Sequence, residues 1–282
     1  MAQSSYNIEK VYKEINTIDG YFWEKKEGGG TRGFTHGSIR NYCPYYSHLG
    51  RSYCLSYLRK ASSGVINLLD NLKKYNLEYD KLAEYAILFL SYKLNQNPEK
   101  KLTDLNDIYT KDIKINKFYN NKIKDNGPTY KEIIDQKKDL MNTNEIFKFN
   151  EAFSILCILY NEINKKKLDC TNHSNYANNF ANEFEKLNND SNINGNASYR
   201  KLLYTLSDDY NNLINKCTDF PPLPKIKTPP NKLIPVLSTF SVIPVFLGIA
   251  YKYSLFGVDK IFQRQYLRKK LKKMKKKMKI NI

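Results

Sequence analysis

Few side chains in this chain are suited to chemistry. Five cysteines, Cys43, Cys54, Cys157, Cys170 and Cys217, and three histidines, His36, His48 and His173, are the candidates. An odd cysteine count leaves at least one thiol unpaired. Two disulfides are allowed, and reduced, buried thiols are the alternative. Cys170-x-x-His173 has ligand spacing, but no second pair stands near it and His-Glu-x-x-His is absent, so no metal is expected. The run Gly28-Gly29-Gly30-Thr31-Arg32-Gly33 lacks both a preceding apolar strand and a following Gly-Lys-[Ser/Thr], so it reads as a flexible loop, not a phosphate cradle. No nucleophile signature surrounds any cysteine. Carboxylates such as Asp208 and Asp209 are expected on solvated helix faces. The chain therefore reads as a non-enzyme without a cofactor. Binding is the better prospect, because aromatic residues dominate interaction hot spots. Among 23 tyrosines, Tyr42, Tyr45, Tyr46, Tyr53 and Tyr57 cluster, and if exposed they are the candidate contact patch.

The elements that must carry these residues are helical. Apolar residues recur at helical spacing in Phe149, Phe153, Leu156, Tyr160 and Ile163, and again from Tyr199 through Leu202, Leu206, Tyr210 and Leu213. Further helices are expected over Tyr53–Tyr75, Lys81–Leu94 and Asn175–Leu187, with a shorter one through Ile133 and Leu140. Thr129-x-x-Glu132 has capping-box spacing, and Asn97-Pro98 suits a helix start. Gly127-Pro128 and the stretch 192–195 read as breaks. With no convincing strand alternation, the fold expected is an all-α, bundle-like domain of six to eight helices over residues 43–219. Residues 1–42 are expected to be irregular. Their start, MAQSSYNIEK, has no apolar core and does not read as a cleavable signal peptide.

Residues 220–232 contain FPPLPKIKTPPN, which favours an extended spacer. Next, residues 233–251 read LIPVLSTFSVIPVFLGIAY without a charge, enough for about 28 Å of helix, so a single C-terminal transmembrane helix is expected. The net charge of +18 is lopsided: residues 252–282 hold twelve Lys or Arg against Asp259 alone. Arg264, Arg268, Lys269, Lys270, Lys272, Lys273, Lys275, Lys276, Lys277 and Lys279, around an apolar stripe of Leu267, Leu271, Met274 and Met278, suit an anionic membrane surface better than nucleic acid. Basic flanks are retained on the cytoplasmic side, which places the tail inside and residues 1–232 on the far side. The alternative is a tail-anchored domain facing the cytosol. Lysines (39) far outnumber arginines (7), and together with 33 asparagines this reads as coding bias, so the sequons at Asn172, Asn189 and Asn196 are discounted.

The C-terminal stretch from Asn231 to Met278, above all FLGIAYKYSLFG, resembles the terminus of the malaria-parasite interspersed repeat family, PIR, with its CIR, YIR, BIR and VIR members. FNEAFSILCILYNEI, SYRKLLYTLSDDYNNLINKC, AILFLSYKLNQ, YKEIIDQKKDLM and the pair formed by Tyr42-Cys43 and CLSYL from Cys54 extend the resemblance over residues 40–280. It implies a variant surface antigen of a multigene set, with a helical exposed domain, a parasite or infected red-cell membrane destination and no enzymatic activity. An unidentified host receptor or antibody is then the expected partner. The competing function is a membrane-attached scaffold in trafficking or host-cell remodelling, facing the cytosol with free thiols.

Overall fold

The computed structural model describes residues 6–27, 30–46, 50–97, 104–165, 168–228, 266 and 268–270. It divides into two compact units, Met1–Thr228 and Pro229–Ile282. In the first, Asn7 accepts a hydrogen bond from the Lys10 backbone N–H and opens α1, Ile8–Asp19, whose Val11, Tyr12, Ile15 and Ile18 are buried. An antiparallel hairpin follows, β1 (Phe22–Glu27) on β2 (Gly30–Thr35), with Phe22 opposite Thr35 and Trp23 opposite Phe34. This corrects the expectation that residues 1–42 are irregular. The hairpin was hidden because FWEKKE sends one large apolar side chain inward, which is too few for an alternation signal. Phe22 packs on Gly64, where a Cβ would lie 2.9 Å from the ring, so the close approach requires glycine.

After α2 (Gly37–Arg40), the short strands β3 (Tyr45–Tyr46) and β4 (Arg51–Ser52) pair, and Ser56 caps α3 (Tyr57–Leu72). Next comes α4, Tyr79–Asn95, buried on nearly every side from Leu82 to Leu94, because α3, α6 (Tyr130–Asp135) and α8 (Asn150–Asn164) all pack around it. Between them lie α5 (Leu105–Ile108), one π-helical turn (Tyr109–Ile113), a 3-10 turn (Lys138–Met141) and α7 (Thr143–Ile146). Asn97 follows the end of α4 and Asp104, not Asn97, caps α5; Pro98 lies outside the described residues. The Thr129 and Glu132 capping box forms as expected, with Thr129 N–H donating to Glu132 Oε2 at 2.7 Å. The last helices are α9 (Cys170–Asn189), α10 (Ser191–Gly195) and α11 (Ala197–Ile214). The expected break at 192–195 is thus a single helical turn capped by Asp190.

The proline-rich spacer begins bound to the domain. Phe220 is buried, Tyr210 donates its hydroxyl to the Pro221 carbonyl at 3.1 Å, and the Asn188 side chain grips the strand from both ends. Its Nδ2 donates to the Lys225 carbonyl at 2.9 Å, and its Oδ1 accepts from the Lys227 N–H at 2.8 Å. Prolines remove donors, and one amide side chain can serve the backbone groups that remain.

Among the described residues no helix is long and apolar enough to cross a membrane. The expected span, 233–251, lies outside them. Of the basic tail, Arg268, Lys269 and Lys270 are helical and exposed, as is Tyr266; Arg264, Lys272, Lys273, Lys275, Lys276, Lys277 and Lys279 lie outside the described residues.

Candidate functional site

The cysteines resolve into two disulfides and one thiol. Cys43 bonds Cys54 across the β3–β4 hairpin, and Cys170 at the start of α9 bonds Cys217 beyond the end of α11, with Cα atoms 5.1 and 5.4 Å apart. Cys157 is free and buried in α8, and burial pushes its thiol well up, which makes it inert. His36 caps α2 by accepting from Ser38 N–H and stacks on Tyr21; His173 Nδ1 sits 2.7 Å from the Asp169 carbonyl. His48 lies outside the described residues. Among those described, no group of three or more His, Cys, Asp or Glu could hold a metal ion.

The five clustered tyrosines do not share one surface. Tyr57 is buried, and Tyr42 is half-buried with its hydroxyl donating to Asp70; burial and that carboxylate push its pKa up to about 12. Tyr53 lies beneath the Arg51 guanidinium, 5.5 Å from its ring centre. Tyr45, 58% exposed, and Tyr46 remain at the surface side of the hairpin, where they line a cleft of about 350 Å³ with Pro44. The opposite wall is the π-helical turn and the loop after it, which contribute Asp112, Ile115, Asn116 and Lys117. Arg59, near the start of α3, joins the two walls: its Nε donates to Asp112 at 3.2 Å and its Nη1 to the Tyr46 hydroxyl. Burial holds the Asp112 carboxyl above its usual range against the pull of Arg59. Asn116 pins the loop by donating to the Tyr42 carbonyl at 3.0 Å and accepting from Phe118 N–H. The Cys43–Cys54 bond anchors the hairpin wall beside Pro44. Such a preset concavity with an aromatic rim suits recognition, and among its described lining residues no nucleophile is paired with a base. A second, wider cleft between α8 and α9, about 620 Å³, is lined by Glu151, Asn179, Asn182 and Glu183 among others, and is a solvated polar groove.

The core holds what sequence reasoning missed. Asp209, expected on a solvated face, is fully buried in α11. It accepts from the hydroxyls of Tyr12 at 2.9 Å and Tyr85 at 3.0 Å, and Tyr160 donates to its backbone carbonyl at 2.7 Å. Burial raises its carboxyl to about 7 although the tyrosine hydrogen bonds and Lys81 oppose this. One residue thereby ties α11 to α1, α4 and α8. Glu84 on α4 is likewise buried, accepting from Thr205 at 2.7 Å and pairing with Lys137 at 3.2 Å. In each case the polar positions face helices too distant in sequence for periodicity to register.

A family model described as Plasmodium variant antigen protein Cir/Yir/Bir matches residues 12–252. The chain belongs to this family. That agrees with the resemblance carried by FLGIAYKYSLFG and its upstream partners. A solved structure described as that of a Plasmodium PIR protein ectodomain is 32% identical, with a TM-score of 0.56, over 79% of this chain and 100% of that one. No curated protein matches. The family match starts within α1 and runs past the end of the 233–251 segment. In this Cir/Yir/Bir member the helices that bury Asp209 thus all fall, at least in part, in the matched region, and so do both disulfides and the cleft.

Proposed function

We propose that this variant antigen is anchored by residues 233–251 and displays the domain of residues 1–228 outside the cell, at the parasite or infected red-cell surface, for contact with host receptors or antibodies. The two disulfides carry this reading, since such bonds persist in oxidising compartments and are rare in the cytosol. The similarity to a relative described as an ectodomain, over a share of the chain comparable to its first compact unit, supports it further. The basic tail would then lie on the anionic inner leaflet. The domain acts by binding, because its concave surface offers shape, charge and exposed aromatic side chains.

Protease shaving of intact infected cells tests the reading. Residues 1–228 are expected to be lost together with control surface proteins; their survival while the controls disappear refutes display. Rapid alkylation followed by mass mapping gives a second check. Alkylated Cys43, Cys54, Cys170 and Cys217 in the native protein would place the domain in a reducing compartment.

A further inference from the structure

The cleft between the β3–β4 hairpin and the π-helical turn has a composition that selects its occupant. Among the described residues its charged lining is Arg59, Asp112 and Lys117, one net positive charge. Asp112 is already engaged by Arg59 Nε, and Tyr46 by Nη1, so those groups face each other across the floor. Lys117 is exposed on the rim, held by the Phe118 ring 5.8 Å away, a weak contact that a carboxylate would displace. The apolar side of the rim is also open. Ile115 is 66% exposed and Tyr45 58%, and exposed Leu55 adjoins the disulfide at Cys54. All three are among the few large hydrophobic side chains that the described residues leave exposed, and two of them, Tyr45 and Ile115, line this cleft from its two walls, which the Arg59–Asp112 ion pair and the Arg59–Tyr46 hydrogen bond join.

We propose that this cleft docks a segment of a partner protein that places an apolar side chain between Tyr45 and Ile115 and an adjacent Asp or Glu carboxylate on Lys117. The volume sits at the small end of ligand sites, room for one or two side chains and not for an extended ligand. Tyr45 and Ile115 both line the cleft and stay more than half exposed, so a small molecule inside it would leave them wet where a protein surface would cover them. The π-helical turn is the device that builds the wall. Buried Asp112 meets Arg59 from within this turn, the exposed Ile115 and Lys117 follow directly after it, and such turns recur at functional sites. The disulfide and the Asn116 bonds fix both walls beforehand, which lowers the ordering cost of binding.

This deepens the proposal of surface display by naming the chemistry of the partner, and its test is independent of topology. Full-length protein in neutral detergent is titrated with fluorescein-labelled short peptides centred on Leu-Glu, Leu-Lys or Gly-Glu, read by polarisation. Leu-Glu is expected to bind, with Leu-Lys and Gly-Glu weaker by about ten-fold. Lys117→Glu is expected to weaken Leu-Glu by about five-fold or more and to favour Leu-Lys. Ile115→Ser is expected to weaken Leu-Glu by about ten-fold. Both positions are exposed, and unchanged circular dichroism confirms that the variants are folded. Equal binding of the three peptides, no binding of any, or an order unaltered by Lys117→Glu overturns the inference. If peptides fail while shaving removes the domain, display stands and the cleft assignment falls. If peptides bind as expected but shaving leaves the domain intact, the cleft stands and display falls.

Discussion

A carboxyl group held at about 7 in the centre of a helical domain makes stability depend on pH in a direction opposite to that of a paired surface acid. Asp209 binds its proton more tightly in the folded chain than in the unfolded chain, where it titrates near 3.8. Below about pH 4 both states are protonated and the stabilisation is fully present. As pH rises, the unfolded chain ionises first, and the advantage drains away until the folded carboxyl ionises near 7. The span from 3.8 to about 7 corresponds to roughly 4 kcal/mol at 1.36 kcal/mol per pH unit. For a domain of this size that is a fall in Tm of about 8–16 °C. Asp209→Asn keeps the shape and offers a hydrogen-bonding side chain to Tyr12 and Tyr85, but it cannot ionise. Thermal unfolding followed by circular dichroism at several pH values from 4 to 8 is the assay. The wild-type Tm should fall relative to that of the variant as pH rises. Parallel profiles, or a wild type that gains on the variant toward pH 8, would refute the assignment of a buried, proton-holding Asp209.

Other perturbations read different parts of the structure. Replacing Cys170 and Cys217 together by Ser should cost about 4 kcal/mol in urea unfolding, and the Cys43–Cys54 pair about 3, because the closed loops span 47 and 11 residues. Equal losses would contradict the loop-length argument. Gly64→Ala should destabilise by about 1–3 kcal/mol, since its Cβ would meet the Phe22 ring at 2.9 Å with Phe89 behind it; an unchanged unfolding midpoint would show that the hairpin does not pack there. Asn188→Ala removes its two hydrogen bonds to residues 225–227, worth about 2 kcal/mol together, and leaves in place the Lys227 Nζ bond to Asn189 Oδ1, so tryptic cleavage at Lys225 should quicken by up to about thirty-fold. Cleavage at the wild-type rate would mean that the strand is held by something else. Toward acid, Asp80 and Asp190 work in the other sense to Asp209. Their lysine partners hold the carboxyls below the ordinary value, so the stability they confer is present above about pH 4 and lost as pH falls further. Lys148→Met, which removes the partner of Asp190, should therefore flatten the acid limb of the unfolding curve, and an unaltered limb would count against the pairing.

Much of the bundle was legible because its long helices are amphipathic. Phe149 through Ile163 and Tyr199 through Leu213 carry apolar residues at the period of a helix, and Thr129 with Glu132 carries its start signal in side chains that bond within one turn. The asparagines discounted as coding bias nevertheless serve locally, since Asn7 and Asn196 cap α1 and α11. The N-terminal hairpin was not legible. Its large apolar anchor, Phe22, acquires meaning only against Tyr57, Gly64, Phe89 and Lys93, all 35 or more positions later in the chain.

By itself the sequence determined what depends on neighbours along the chain: helical period, caps, the uncharged stretch 233–251 and the tail's charge, together with the motif that marks the family. Tertiary structure decided which cysteines meet, that Asp209 is inside and not solvated, that the proline-rich strand is strapped to Asn188, and that of five clustered tyrosines Tyr45 and Tyr46 line a cleft while Tyr57 joins the core. The physical reason is the same each time. A side chain's charge, hydrogen bonds and exposure are set by the atoms packed against it, and for a buried or cleft residue most of those atoms come from helices tens to hundreds of residues away.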